Sequence, residues 1–187
     1  MSSYREDLAF INDDGFSDFT DGTLPGVLGL LRRAGVRNGL VVDLGCGSGR
    51  WAAALGGAGY DVLGVDLSSA MIRLARKRAP LAHFETGSLL NAKLPACDAV
   101  TAIGEVVNYQ FDPKHSRAAL TRLFRRIHAA LRPGGLFVFD VAGPDRVPAV
   151  VPASYWKEGE GWAIHVEVDG NARSGWMTRN IVCFRQD

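Results

Sequence analysis

Apolar positions along this chain fall into two kinds of run. Short and nearly continuous ones occur at 40–44, 61–65, 97–102 and 135–141, with a briefer one near 82–85. Runs of that length, bounded by Gly, Pro and Asp, have the pattern of strands covered on both faces. Between them, stretches at 49–58, 68–79 and 115–131 repeat apolar residues every three or four positions, which predicts helices. In the longest, Leu120, Leu123, Phe124, Ile127 and Leu131 form one face, and Arg117, Arg122, Arg125 and Arg126 form a solvated opposite face. Pro133-Gly134-Gly135 is expected to end that helix. Regular alternation of strand and helix predicts a parallel sheet joined by right-handed crossovers.

The flanks read differently. Residues 1–21 are polar with scattered Tyr4, Phe10, Phe16 and Phe19, and helical spacing begins only at Leu24 and runs to Ala34. Beyond Asp140, Pro144, Pro148 and Pro152 argue against helix. Two alternating runs follow, 162–169 with Ile164, Val166 and Val168 on one face, and 176–184. Gly170 to Gly175 supplies turn residues, so the pair predicts a β-hairpin. Three segments result: an N-terminal arm and helix over 1–37, a core over 38–142 and a hairpin extension over 143–187.

With 187 residues, the chain suits one core better than two. A net charge of +1 with both signs interspersed gives no electrostatic footprint for nucleic acid. No apolar run approaches the roughly 20 residues of a membrane span, and the first residues lack a signal-peptide pattern, so a soluble, cytoplasmic protein is expected. Cys46, Cys97 and Cys183 have neither disulfide-framework nor metal-ligand spacing, and no metal is expected. His83, His128 and His165 have no partner at catalytic spacing, and His115 reads as a residue near a helix cap.

The chemistry concentrates in Leu40-Val-Val-Asp-Leu-Gly-Cys-Gly-Ser-Gly-Arg-Trp51, a strand that breaks into three alternate glycines and then opens a helix. Residues without Cβ tolerate left-handed backbone and let a ligand approach the main chain. A dinucleotide fingerprint requires a third glycine where this chain has Arg50. Asp43, two residues before the first glycine, opposes a pyrophosphate and favours a ligand carrying positive charge. Asp66 ends the next strand, where a carboxylate accepts both hydroxyls of a ribose.

Val41-Val-Asp-Leu-Gly-Cys-Gly-Ser-Gly49, Gly64-Val-Asp-Leu-Ser-Ser-Ala-Met71 and Leu131-Arg-Pro-Gly-Gly-Leu-Phe-Val-Phe139 stand in order, and together they resemble the class I S-adenosylmethionine-dependent methyltransferases over residues 38–142. The resemblance implies a three-layer, Rossmann-like, doubly wound parallel sheet. The hairpin would be an appended antiparallel element after strand five, like an insert in some small-molecule N-methyltransferases, with the family's terminal strands missing. Strand five would then keep an unpaired edge that a second subunit, as in a homodimer, would cover. An N-terminal segment folded over the cofactor as a lid is implied too, with Tyr4 and Phe10 facing it.

The function so implied is methyl transfer from S-adenosylmethionine to the N or O of a small molecule, leaving S-adenosylhomocysteine. Gly45, Gly47 and Cys46, the last as a small filler, would hold the methionine part, with Asp43 orienting the loop. Asp66 would take the ribose, Leu67 and Met71 would line the adenine, and Ser88 and Leu89 would read its edge, where the family often has an acid. Ile103 and Gly104 would pass beneath the methionine portion. Glu105 as base or amine-attracting carboxylate and Tyr109 as a cation–π partner are the catalytic candidates. The rival readings are a catalytically silent cofactor-binding module active only in an oligomer and, ranked lower, an NAD-dependent oxidoreductase.

Overall fold

The computed structural model describes residues 4–186; positions 1–3 of the expected N-terminal arm and position 187 of the expected extension lie outside the described residues. In chain order the elements are α1 (Glu6–Gly15), α2 (Asp18–Arg33), β1 (Gly39–Leu44), α3 (Arg50–Gly57), β2 (Tyr60–Asp66), α4 (Ser69–Arg78), β3 (His83–Thr86), β4 (Cys97–Ala102), α5 (Arg117–Ala130), β5 (Leu131–Phe139), β6 (Ala153–Gly159), β7 (Trp162–Asn171) and β8 (Trp176–Arg185). They divide into two compact units, residues 4–5 with 18–141 and residues 6–17 with 142–186. Among the described residues no helix is long and apolar enough to cross a membrane.

The first unit is a five-stranded, all-parallel sheet in the order β3-β2-β1-β4-β5. Its central strand explains the continuous apolar run: Val41 and Val42 point to opposite faces and both are fully buried. Val41 packs with Leu31 of α2, Leu55 of α3 and Ile72 of α4, whereas Val42 packs with Leu123 and Ile127 of α5. The layers are therefore helices, sheet, helix. Serine hydroxyls start two of the helices, Ser68 accepting the Met71 N–H at 3.2 Å and Ser116 the Ala119 N–H at 3.2 Å.

Several boundaries differ from the sequence expectation. α2 begins at Asp18, well before Leu24, with Pro25 inside it, acids in its first turn and Arg32 and Arg33 in its last, charges that complement the helix dipole. α5 is shorter than 115–131 at both ends. The chain leaves the helix before Arg132, which is steered away from helical geometry by Pro133. Pro-Gly-Gly instead occupies a bulge inside β5: Leu131 pairs with Cys97 and Leu136 with Ala99. Gly134 has φ 82°, and a Cβ on Gly135 would lie 2.9 Å from the Asp98 carbonyl oxygen. Arg126, expected in solvent, is half-buried and donates to the carbonyls of Leu90 at 2.8 Å and of Ala92.

β5 pairs only with β4 among the described residues. Along it Phe137 and Phe139 stack at 4.6 Å, with Phe124 of α5 at 5.4 and 5.5 Å from them, and Phe139 is 42% exposed.

In the second unit β6, β7 and β8 form an antiparallel sheet with α1 on one face. β8 pairs with β7 and not with β5, so the hairpin is an added sheet, as the resemblance implied. Its third strand, β6, escaped the sequence reading because Lys157 shares the inward register, opposite Ile164. Its stem is accommodated by placing the ammonium 4.5 Å over the Phe16 ring, where it donates to the Gly15 carbonyl. Ile11, Trp162, Ile164, Val166 and Val168 make the core, and Trp162 Nε1 donates to Asp14 at 2.7 Å. Phe10, expected with Tyr4 to face the cofactor, packs against this core with the Arg185 guanidinium 4.0 Å over its ring.

A Cβ on Gly15 would sit 2.5 Å from the Trp162 ring. Overpacking costs about 1–3 kcal/mol, against which the gain in helix propensity offsets up to about 1. Gly15→Ala is therefore expected to lower the urea midpoint; an unchanged or raised midpoint would mean the indole shifts freely.

Candidate active site

The strand order reverses between β1 and β4, and open parallel sheets bind ligands beyond the carboxyl ends of their strands at such a point. The cofactor-binding and catalytic candidates expected from the sequence lie on β1 and β2, at the start of α4 or in the loops that follow β1, β2, β3 and β4.

The glycine loop leaves β1 and is tied to β2. The Gly45 and Cys46 N–H groups donate to the Val65 carbonyl at 2.7 and 3.1 Å, and Gly47 N–H donates to Asp66 Oδ2 at 2.9 Å. Gly45, Gly47 and Gly49 have φ of 75°, 52° and 76°, the left-handed region in which side chains are strained. They are not equivalent. A Cβ on Gly45 would lie 2.5 Å from Val106 Cγ1, and one on Gly49 would lie 2.8 Å from Ala75 Cα, so protein fills the space beside both. Gly47 has nothing within 4 Å and is the open position of the cradle. Cys46 is buried, its Sγ placed where a Cβ on Gly64 would meet it, and burial with the nearby Asp43 and Asp66 carboxylates pushes its thiol pKa far up. That environment suits a filler and not a nucleophile.

Asp43 is 2% exposed. Its Oδ1 accepts the Thr101 hydroxyl at 2.7 Å, while Oδ2 is buried without a hydrogen-bond partner among the described residues. Burial pushes the carboxyl up to about 7, against the Thr101 hydrogen bond and with a small further push from Asp66. An orphaned carboxylate oxygen at the end of the strand that feeds an open glycine is a group that a cationic ligand would satisfy, so the residues fit the cofactor that the resemblance implies. Asp66 accepts from Gly47 at Oδ2 and from the Ser68 N–H at Oδ1, 2.8 Å. Burial raises its pKa and the two N–H donors oppose the rise. Each oxygen keeps a lone pair for a further donor.

Around Asp66, Leu67 is exposed and Met71 is buried on α4. Ser68 Oγ also donates to the Tyr4 carbonyl at 2.6 Å. The Tyr4 ring meets Phe111 edge-on at 6.4 Å, and Phe111 stacks on Tyr109 at 4.9 Å, so an aromatic row runs from the β2 end toward the β4 end. Ser88 accepts the Leu90 N–H at 3.1 Å and hydrogen-bonds Asp112, whose carboxyl it holds below the usual range; Leu89 beside it is half-buried. After β4, Ile103 packs partly into the core, and Gly104 and Glu105 follow with φ of 95° and 60°. His115 Nε2 lies 3.2 Å from the Val107 carbonyl. Among the described residues no group of three or more His, Cys, Asp or Glu is placed to hold a metal ion.

Sequence reasoning missed Asp140. Its Oδ1 accepts the N–H groups of both Gly104 and Glu105, at 2.8 and 3.0 Å, and Oδ2 lies 3.1 Å from Glu105 N. The only signal was an acid ending the Phe137-Val-Phe-Asp140 run.

Comparison with known proteins agrees with this geometry. The family model described as methyltransferase domain matches residues 41–135, just over half the chain. The magnesium-protoporphyrin O-methyltransferase of Rhodobacter capsulatus is 33% identical over 96 residues, 49% of this chain and 42% of that protein. The trans-aconitate 2-methyltransferase of Variovorax paradoxus is 33% identical over 126 residues, 63% of this chain and 46% of its own. The chain spans about half the length of the curated relatives it matches.

Among solved structures, an S-adenosylmethionine-dependent methyltransferase from Clostridium acetobutylicum aligns with TM-score 0.77 at 19% identity, covering 96% of this chain and 74% of that one. An amino pentose methyltransferase from Micromonospora echinaspora, solved with S-adenosylmethionine bound, aligns with TM-score 0.70 at 20% identity, covering 100% and 84%. These two share the fold. Family match, sheet topology and cradle converge: the chain belongs to the methyltransferase-domain family of class I S-adenosylmethionine-dependent methyltransferases.

Proposed function

We propose that the chain transfers the methyl group of S-adenosylmethionine to a nitrogen or oxygen of a small molecule. The observation that carries the reading is the open Gly47 whose N–H is held by Asp66, on a loop that leaves the strand carrying the orphaned Asp43 oxygen. The names of relatives, which methylate magnesium-protoporphyrin and trans-aconitate, support a small acceptor.

When bound, the sulfonium supplies an electrophilic methyl for in-line displacement, so the protein's work is to bind, align and exclude water. Gly45, Cys46 and Gly47 would hold the methionine part, with Asp43 facing its cationic end. Asp66 would take the ribose hydroxyls, and Leu67, Met71, Ser88 and Leu89 would surround the adenine. Ile103 and Gly104 would pass beneath the methionine portion. Glu105 would take the proton that the acceptor's nitrogen or oxygen loses on methylation, or attract an acceptor amine, with Tyr109 as a cation–π partner of the sulfonium. An acceptor screen with methyl-labelled cofactor tests this: labelled product from a small nucleophile supports it, and cofactor binding without transfer to any acceptor class would point to a silent module.

Asp43 gives the reading a pH signature. Its folded pKa of about 7 exceeds the ordinary carboxyl value of 3.8, so the folded state keeps a proton that the unfolded state has released. Its stability contribution is therefore full below the lower value and is lost as pH rises through the upper one. A cation against Oδ2 favours the ionised form and expels that proton. Affinity for S-adenosylmethionine should therefore climb with pH and level off above about 7, and Asp43→Asn should abolish the climb. Calorimetry in buffers of different ionisation enthalpy reads the released proton directly; affinity independent of pH in the wild type would remove Asp43 from the site.

A further inference from the structure

We infer that Asp140 is a positioning residue for methyl transfer, its carboxylate holding the Gly104–Glu105 turn in the form that aligns the acceptor side of the site with the cofactor loop. This rests on the methyltransferase reading above.

The successive N–H groups of Gly104 and Glu105 point to one side of the turn, as in the backbone concavities that bind anions. Here it is filled from within the chain, both donors converging on Asp140. The arrangement is costly to form otherwise. Glu105 is the one non-glycine residue with positive φ among the described residues, and a left-handed conformation costs an L-residue roughly 1–2 kcal/mol. Charge-assisted N–H···O contacts offset that cost, since each is about twice as strong as a neutral one. Asp140 is itself placed by the sheet, its N–H reaching the Ala102 carbonyl at 3.4 Å where β4 and β5 end together.

The turn also leads straight to the cradle. Val106, the next residue, occupies the space that a Cβ on Gly45 would need. If the turn relaxes, Val106 moves and the contact that shapes the Gly45 end of the cofactor loop is lost. Asp140 thus joins the end of β5 to the loop after β1 through two backbone donors and one valine. It need touch neither cofactor nor acceptor to do so.

The test uses the full chain as Asp140→Ala and Asp140→Asn, with S-adenosylhomocysteine as the probe, read by calorimetry below the unfolding temperature and by amide proton–nitrogen spectra. Asp140→Ala should weaken binding about tenfold, because the left-handed Glu105 loses the charge-assisted bonds that offset its strain and the Val106 contact to the cofactor loop relaxes with it. It should also move the Gly104 and Glu105 amide protons upfield as their carboxylate acceptor disappears. Asp140→Asn keeps the oxygen that takes a bond from each donor and should restore affinity to within about threefold, whatever its unfolding temperature. If Asp140→Ala fails to fold, the Asn variant carries the test through the same two amide resonances. Native affinity in Asp140→Ala, or an Asn variant that folds yet loses affinity or leaves both amides unmoved, would overturn the positioning role. A wild type that binds no S-adenosylhomocysteine overturns the methyltransferase reading, and the positioning role with it.

Discussion

Gly49→Ala is expected to lower the unfolding temperature by roughly 5–15 °C, whereas Gly47→Ala lowers it by about a third of that and instead weakens S-adenosylhomocysteine binding by at least about tenfold. The two glycines differ by two positions and have similar backbone, φ of 76° and 52°, so the strain of a left-handed alanine, about 1–2 kcal/mol, is common to both. What separates them is the space beside them. At Gly49 a Cβ meets the Ala75 backbone of α4 at 2.8 Å, and a helix cannot give way as a flexible side chain can. Overpacking there adds about 1–3 kcal/mol, and a chain of this size loses about 2–4 °C per kcal/mol. At Gly47 the Cβ meets no protein atom, so the added methyl occupies room that the account reserves for the ligand. Differential scanning calorimetry and ligand titration on both variants separate the cases. Equal melting losses with equal affinity losses would mean that the loop responds as one unit and that Gly47 has no special place in the cradle.

Asp66→Ala is expected to weaken S-adenosylhomocysteine binding about a hundredfold. Two hydroxyl donors to a carboxylate contribute roughly 1.5 kcal/mol or more each, and about 3 kcal/mol is about two decades of affinity. The substitution also frees the Gly47 and Ser68 N–H groups, which now share the carboxylate. Asp66→Asn, which retains one acceptor oxygen, should fall between the wild type and the alanine variant. Titration of the folded variants checks both; native affinity in Asp66→Ala would mean that the ribose lies elsewhere.

The parts of the fold that could be read from sequence are those whose neighbours are close in sequence or whose environment is uniform. β1, β2 and β4 sit between two helical layers, so their apolar runs are nearly continuous and their ends marked by Gly or Asp. α1 was missed because its apolar residues serve a core supplied by Trp162, Ile164, Val166 and Val168, about 150 positions away. β6 was hidden by an inward-register lysine and the start of β5 by a Pro-Gly-Gly bulge, both of which break the local period while leaving the pairing intact.

The same division holds at the site. The glycine loop, Asp43 and Asp66 declare themselves through residue type and order, since each uses its own strand's end. That Gly47 alone is open, with Gly45 and Gly49 closed by Val106 and Ala75, depends on packing between elements. Asp140 and Arg126 act on the backbone of segments 34 to 36 residues away, through pairing registers that no local pattern encodes.

The central claim is that the cradle around Gly47 is built for an adenosyl sulfonium. Its most direct test is calorimetric titration of the wild-type chain with S-adenosylmethionine and, separately, with NAD. One-to-one binding of S-adenosylmethionine, weakened about a hundredfold in Asp66→Ala, and no binding of NAD are expected; binding of NAD with none of S-adenosylmethionine would contradict the claim.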